Sequence, residues 1–219
     1  MGFWGDEFML LPEWISKLEK KIGWLQVPQL GFILICMQVI GFIIVLKKPV
    51  VAELLFLDPS AVLKGEIWRL FTFIAIPLTN DFLMLFLWWF LYYIFKFLRV
   101  SWGDFKLTLY FILGWLGTII GSFVFNVPVD SFMLMLSTYF FAIATLNPEY
   151  EVLFFFILRI KMKWIALFSA IVLFLQQAFF GAWQMTLCLL FACVNYILFF
   201  GPHFYRFLRS EMKRRRENI

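Results

Sequence analysis

The chain is poor in the side chains that carry polar chemistry. It holds a single histidine, His203, and three cysteines, Cys36, Cys188 and Cys193, which fall inside apolar runs without metal-ligand spacing. No metal site and no cofactor are expected from such a set. Charged residues make up only 15% of the chain. No lysine lies in the interior of an apolar run, and no paired carboxylates do, which removes a Ser–Lys dyad and acid–base pairs of carboxylates. The N-terminus starts amphipathic and acidic, without the short basic lead of a cleavable signal peptide. The net charge of +5 is not a nucleic-acid signal, because the basic residues sit at the ends of apolar runs and in the tail, where they act as topology determinants.

What the chain has in abundance is apolar surface. Hydrophobic residues reach 63%, aromatics 22%, and the mean hydropathy is +0.89. No soluble core absorbs that much, and runs near 20 residues suit a bilayer. Backbone groups in lipid pair within their own segment, so the runs are expected to be helices, and their continuity argues against a barrel's alternation. The 219 residues leave room for one all-α membrane domain of six spans, expected near 30–46, 81–97, 107–125, 131–146, 164–180 and 182–200. The expected division is an interfacial amphipathic segment (1–28), a six-helix membrane domain (29–202) and a basic cytoplasmic tail (203–219).

Between the spans the pattern changes. Trp14, Leu18, Ile22 and Leu25 recur at helical spacing with lysines on other faces, which reads as a helix in the interface plane or a flap packed on the protein. The stretch 49–66 is too charged to cross and reads as a membrane-dipping first loop, with Asp58-Pro59 capping a new helix. Gly114, Gly117 and Gly121 share a helix face and invite close helix contact. The apolar part of 148–164 is short and bounded by charge, so it reads as re-entrant or interfacial. Lysine and arginine crowd the turn after the second span, the segment before the fifth, and the tail, which places both termini on the cytoplasmic side.

The segment G-E-I-W-R-L-F-T, with Trp68-Arg69 ahead of an aromatic helix, the turn Trp102-Gly103-Asp104-Phe105, and N-P-E-Y-E-V-L-F-F-F after the fourth span together resemble the rhomboid superfamily over residues 30–202. The resemblance implies a six-helix rhomboid-like bundle whose first loop ends in the W-R pair, with Trp68, Arg69, Trp102 and Gly103 as the family's structural motif. It also implies where a protease of that family keeps its groups: a serine in G-x-S-G on the fourth helix, a histidine on the sixth, and His and Asn on the second. Here Pro77, Phe82 and Phe86 fall near the oxyanion-side positions, no glycine flanks Ser131 or Ser137, and Trp183 and Gln184 fall near the histidine position. His203 follows the sixth span, on the order of 10 Å or more in depth from Ser137 at 1.5 Å per residue. A base must come within about 3 Å of the proton it takes. The expectation is a pseudoenzyme, similar to derlins and inactive rhomboids, although the long partner-binding C-terminal region of derlins is missing.

The function expected on these grounds is lateral binding of transmembrane segments of client proteins, in membrane-protein quality control or trafficking. Its partners would be membrane lipids and client helices, with no nucleic acid and no metal. Gln176, Gln177, Gln184 and Asn195 are the candidate client-contact amides, with internal packing as their alternative role. Two other readings are an active intramembrane serine protease with a non-standard site and a small transporter or channel. The small size suits a bacterial inner membrane, with the endoplasmic reticulum as the alternative.

Overall fold

The structure is a computed structural model that describes residues 11–149, 151–154, 158–180, 183–202 and 205. It begins with α1 (Glu13–Ile22) and a 3-10 turn (Gly23–Leu25), followed by α2 (Leu30–Lys47). Three short helices, α3 (Val51–Leu55), α4 (Pro59–Leu63) and α5 (Arg69–Thr72), fill the first long connection, with a 3-10 turn at Phe73–Ala75. The main bundle comprises α6 (Leu83–Trp102), α7 (Asp104–Phe125), α8 (Met133–Leu146), α9 (Met162–Phe180) and α10 (Trp183–Ala192). A hairpin of β1 (Glu151–Phe154) and β2 (Leu158–Lys161) joins α8 to α9, pairing antiparallel with Glu151 opposite Lys161.

Three helices among the described residues are long and apolar enough to cross a membrane: α2, α6 and α7. This corrects the expectation of six spans. The 14 residues of α8 rise only about 21 Å, against a hydrocarbon core of about 30 Å. The last apolar stretch is interrupted by a turn at Cys193 before helix resumes over 194–202, although Cys193 N still donates to Leu189 O at 2.9 Å. Apolar composition alone does not reveal such a shortening or such a break. The placement of both termini on one side combined the Lys and Arg distribution with six crossings, a count that the three membrane-length helices do not supply. The segment after Asn147, read as re-entrant or interfacial, forms a β-hairpin.

Local chemistry explains the element ends. Asp58 caps α4, its Oδ1 accepting from Ser60 N at 2.9 Å with Pro59 in the first turn, as the Asp-Pro pair predicts. Gly103 at φ +84° lets α6 hand over to α7 with no intervening loop, a conformation that a side chain resists. Asn126 in the left-handed region ends α7. Helix α1 packs on the bundle, with Ile15 buried and Lys17, Lys20 and Lys21 outward. Trp14 meets Phe199 edge-on at 6.3 Å.

The core is aromatic. Tyr110 and Tyr139 are fully buried at its centre, with ring centroids 5.3 Å apart, and Trp102 and Phe199 close on Tyr110. Around this core the outward faces of α2, α6 and α7 carry large exposed residues, including Phe32, Ile40, Ile43, Leu85, Tyr92, Ile120 and Val124. Water would not tolerate such a belt on a monomer, whereas lipid does.

Candidate functional site: an apolar groove between three helices

Helices α6 and α9 both pack on α8 but do not close on one another. Between them lies a groove of about 710 Å³, lined by Phe86, Leu87 and Phe90 of α6, Met133 and Phe140 of α8, and the first turns of α9. Phe90 and Phe140 form part of its wall, with centroids 5.7 Å apart. Trp164, Leu167, Phe168 and Ile171 line it from α9, and all four are exposed. Their spacing of three, four and seven puts them on one face of the helix. Helix α9 packs against α8 and, less extensively, α10, and its exposed stripe is covered by neither among the described residues. Ile160 of β2 forms the rim.

One polar group stands in this apolar lining. Ser169 is only 6% exposed, and its Oγ has no hydrogen-bond partner among the described residues. A helical serine usually bonds a carbonyl one turn back, and a buried hydroxyl left unpaired costs about 1–3 kcal/mol. The stripe and Ser169 do not stand out in the sequence. The run around them is apolar on every face, so periodicity does not separate a lining side from a packing side.

The motif residues serve the first long connection. Arg69 is 6% exposed and donates through Nε to Glu66 Oε2 at 2.6 Å and through Nη1 to the carbonyls of Glu53 (2.7 Å) and Phe56 (3.0 Å). One guanidinium thus closes α3, the turn after it and the start of α5 into a single unit. Trp68 stays half exposed, its Nε1 donating to Leu54 O at 3.4 Å. Trp102 is buried beside the Gly103 turn.

Gly117 and Gly121 face α10, and Gly114 faces Asn195 in the helical stretch after it. A Cβ at Gly117 would collide with the carbonyl oxygen of Phe191, one at Gly114 would lie 2.6 Å from Asn195 Nδ2, and one at Gly121 would lie 2.9 Å from Phe191 Cβ. Of the four candidate amides, the side chains of Asn195 and Gln184 are described. Asn195 is fully buried, in keeping with the internal-packing alternative. Its Nδ2 donates to Tyr110 O (3.2 Å) and Thr138 Oγ1 (3.1 Å), and its Oδ1 accepts from Tyr196 N (2.7 Å), so both of its donors are used inside the bundle. Gln184 is exposed at the start of α10. The side chains of Gln176 and Gln177 lie outside the described residues, as does His203.

Ser137, the hydroxyl examined for nucleophilic chemistry, is fully buried, and its Oγ donates to Met133 O at 3.0 Å within its own helix. No group of three or more metal-ligating side chains occurs among the described residues. Outside the bundle, Glu149 accepts from Lys161 (2.5 Å) and from Lys163, clipping the hairpin to the start of α9. These hydrogen bonds, Lys161's first, hold the Glu149 carboxyl down at about 2, and Glu149 in turn raises the Lys161 ammonium above its ordinary value.

Length, apolarity and the lipid-facing belt together define a helical integral-membrane protein. Comparison with known protein families, with characterised proteins and with solved structures finds no match.

Proposed function

We propose that this chain is a non-proteolytic membrane protein that receives a transmembrane segment of a client protein in the groove between α6, α8 and α9. The observation that carries this reading is the unpartnered stripe Trp164, Leu167, Phe168 and Ile171, facing an apolar groove beside a membrane-length helix. An occupant there must itself be apolar and membrane-embedded. The unpaired hydroxyl of Ser169 favours a peptide over an acyl chain, because a client helix brings serine, threonine or amide side chains and a hydrocarbon tail does not. The inward bond of Ser137 to its own helix supports a binding role over a nucleophilic one. The Trp68-Arg69 segment supports kinship with non-catalytic rhomboid-like proteins, while the three membrane-length helices weigh against a direct copy of that family's core. Quality control or trafficking of membrane proteins, in a bacterial inner membrane, is the setting in which such a receptor would act.

The test is photo-crosslinking in native membranes from residues 164 and 168, with residue 43 on the outer face of α2 as reference. Protein adducts enriched at the groove positions support the reading. Equal yields from all three positions, or lipid adducts alone, contradict it. Cleavage of a helical reporter by the purified protein, abolished in Ser137→Ala, would restore the protease reading.

A further inference from the structure

A second recess, of about 440 Å³, opens where the start of α2 meets the last turns of α6. Gln29, Leu30, Phe32, Tyr92, Lys96 and Arg99 are among the residues that line it. Tyr92, Lys96 and Arg99 are spaced by four and three, so they form one stripe along α6. The Lys96 ammonium lies 5.8 Å from the centre of the Tyr92 ring and has no carboxylate partner among the described residues. Arg99 uses Nε and Nη2 on Asp104, at 2.8 and 3.2 Å, and keeps Nη1 without a partner among the described residues. The positive end of the 18-residue α2 points at the same place, and no side chain caps it.

We infer that this recess binds the headgroup phosphate of an anionic phospholipid, with its acyl chains lying along α2 and α6. Depth supports a lipid source for the phosphate, because the recess sits at matching ends of two membrane-length helices. Its wall continues down α2 as the exposed apolar residues Phe32, Ile33, Ile40 and Ile43. Among the described residues, the surrounding face carries Lys17, Lys20, Lys21, Lys96, Arg99 and Lys106 against Glu13, Glu19 and Asp104. Basic recesses between membrane helices suit anionic headgroups, and anionic leaflets draw such faces to them.

Native mass spectrometry of the full chain, titrated with phosphatidylglycerol or phosphatidylcholine of the same acyl chains, measures the preference. The expected preference for phosphatidylglycerol is on the order of tenfold. It should vanish in Lys96→Gln/Arg99→Gln and persist in Lys20→Gln/Lys21→Gln. Retention in the first variant overturns the site, and displacement of the lipid by millimolar inorganic phosphate overturns the lipid assignment. Photoactivatable phosphatidylglycerol on the unaltered protein gives an answer that needs no variant. Labels on residues 29–32 or 92–100 support the site, and labels confined to other regions overturn it.

Discussion

The seam between α7 and α10 and the groove between α6, α8 and α9 belong to one bundle and are built by opposite means. At the seam, glycines remove side chains so that backbones touch, and Asn195, in the helical stretch that resumes after α10, ties it to Tyr110 of α7 and Thr138 of α8 through two hydrogen bonds. At the groove, large aromatics line both walls and no side chain fills the gap between them. Without a hydrophobic driving force between helices in lipid, close packing and hydrogen bonds are what hold a contact shut. The groove has neither, and its one buried hydroxyl is unpaired. A contact that stays open for want of those two devices is suited to being closed by something else.

Substitutions at the seam should therefore cost stability, and those at the groove should not. Gly117→Leu should have the largest effect, about 3 kcal/mol or more in detergent unfolding, because its neighbour is the Phe191 backbone carbonyl, which cannot rotate away. Asn195→Ala should cost about 1–2 kcal/mol, from the hydrogen bonds lost and the buried Tyr196 N–H left with one acceptor fewer. Phe168→Ala should change stability by less than about 0.5 kcal/mol, since the ring packs on nothing that folding buries. A cost near that of Asn195→Ala would show that the groove is a closed contact after all.

The smallest effect belongs to the rim. Glu149 has its carboxyl pKa depressed, so its clip to Lys161 and Lys163 stabilises the hairpin above the ordinary carboxyl value of 4.5 and is lost as pH falls through about 2. The pair is exposed and solvent-screened, so the loss should be local to the hairpin. Amide exchange at Arg159 and Lys161 should quicken across that window, and unchanged protection would show that the hairpin holds without the clip.

The sequence carries the short-range features of this fold well. Asp58-Pro59 announces the cap of α4, the break at Gly103 lies in a visible motif, and the glycine spacing places three small residues on one face, which the structure turns toward α10 and the helical stretch after it. The span count is not legible in the same way. The runs 131–146 and 182–200 are both strongly apolar, yet the structure makes the first a 14-residue helix and interrupts the second at Cys193. The hairpin follows from pairing Glu151–Phe154 with Leu158–Lys161, a register set by strand pairing that the hydropathy of the segment does not encode. Asn195 shows a related limit. A polar residue in an apolar run signals that a bond is made, but whether the partner is internal or external depends on which helix stands opposite, and here that helix is α7.

The groove can be tested most directly in vesicles of defined composition. A labelled single-span peptide carrying a serine at mid-span would be bound to the reconstituted protein, and its affinity compared with that for Ser169→Trp, which fills the groove. Binding to the unaltered protein that falls at least tenfold in the filled variant, with unfolding stability kept, is the predicted result. Equal binding to both proteins would contradict the account.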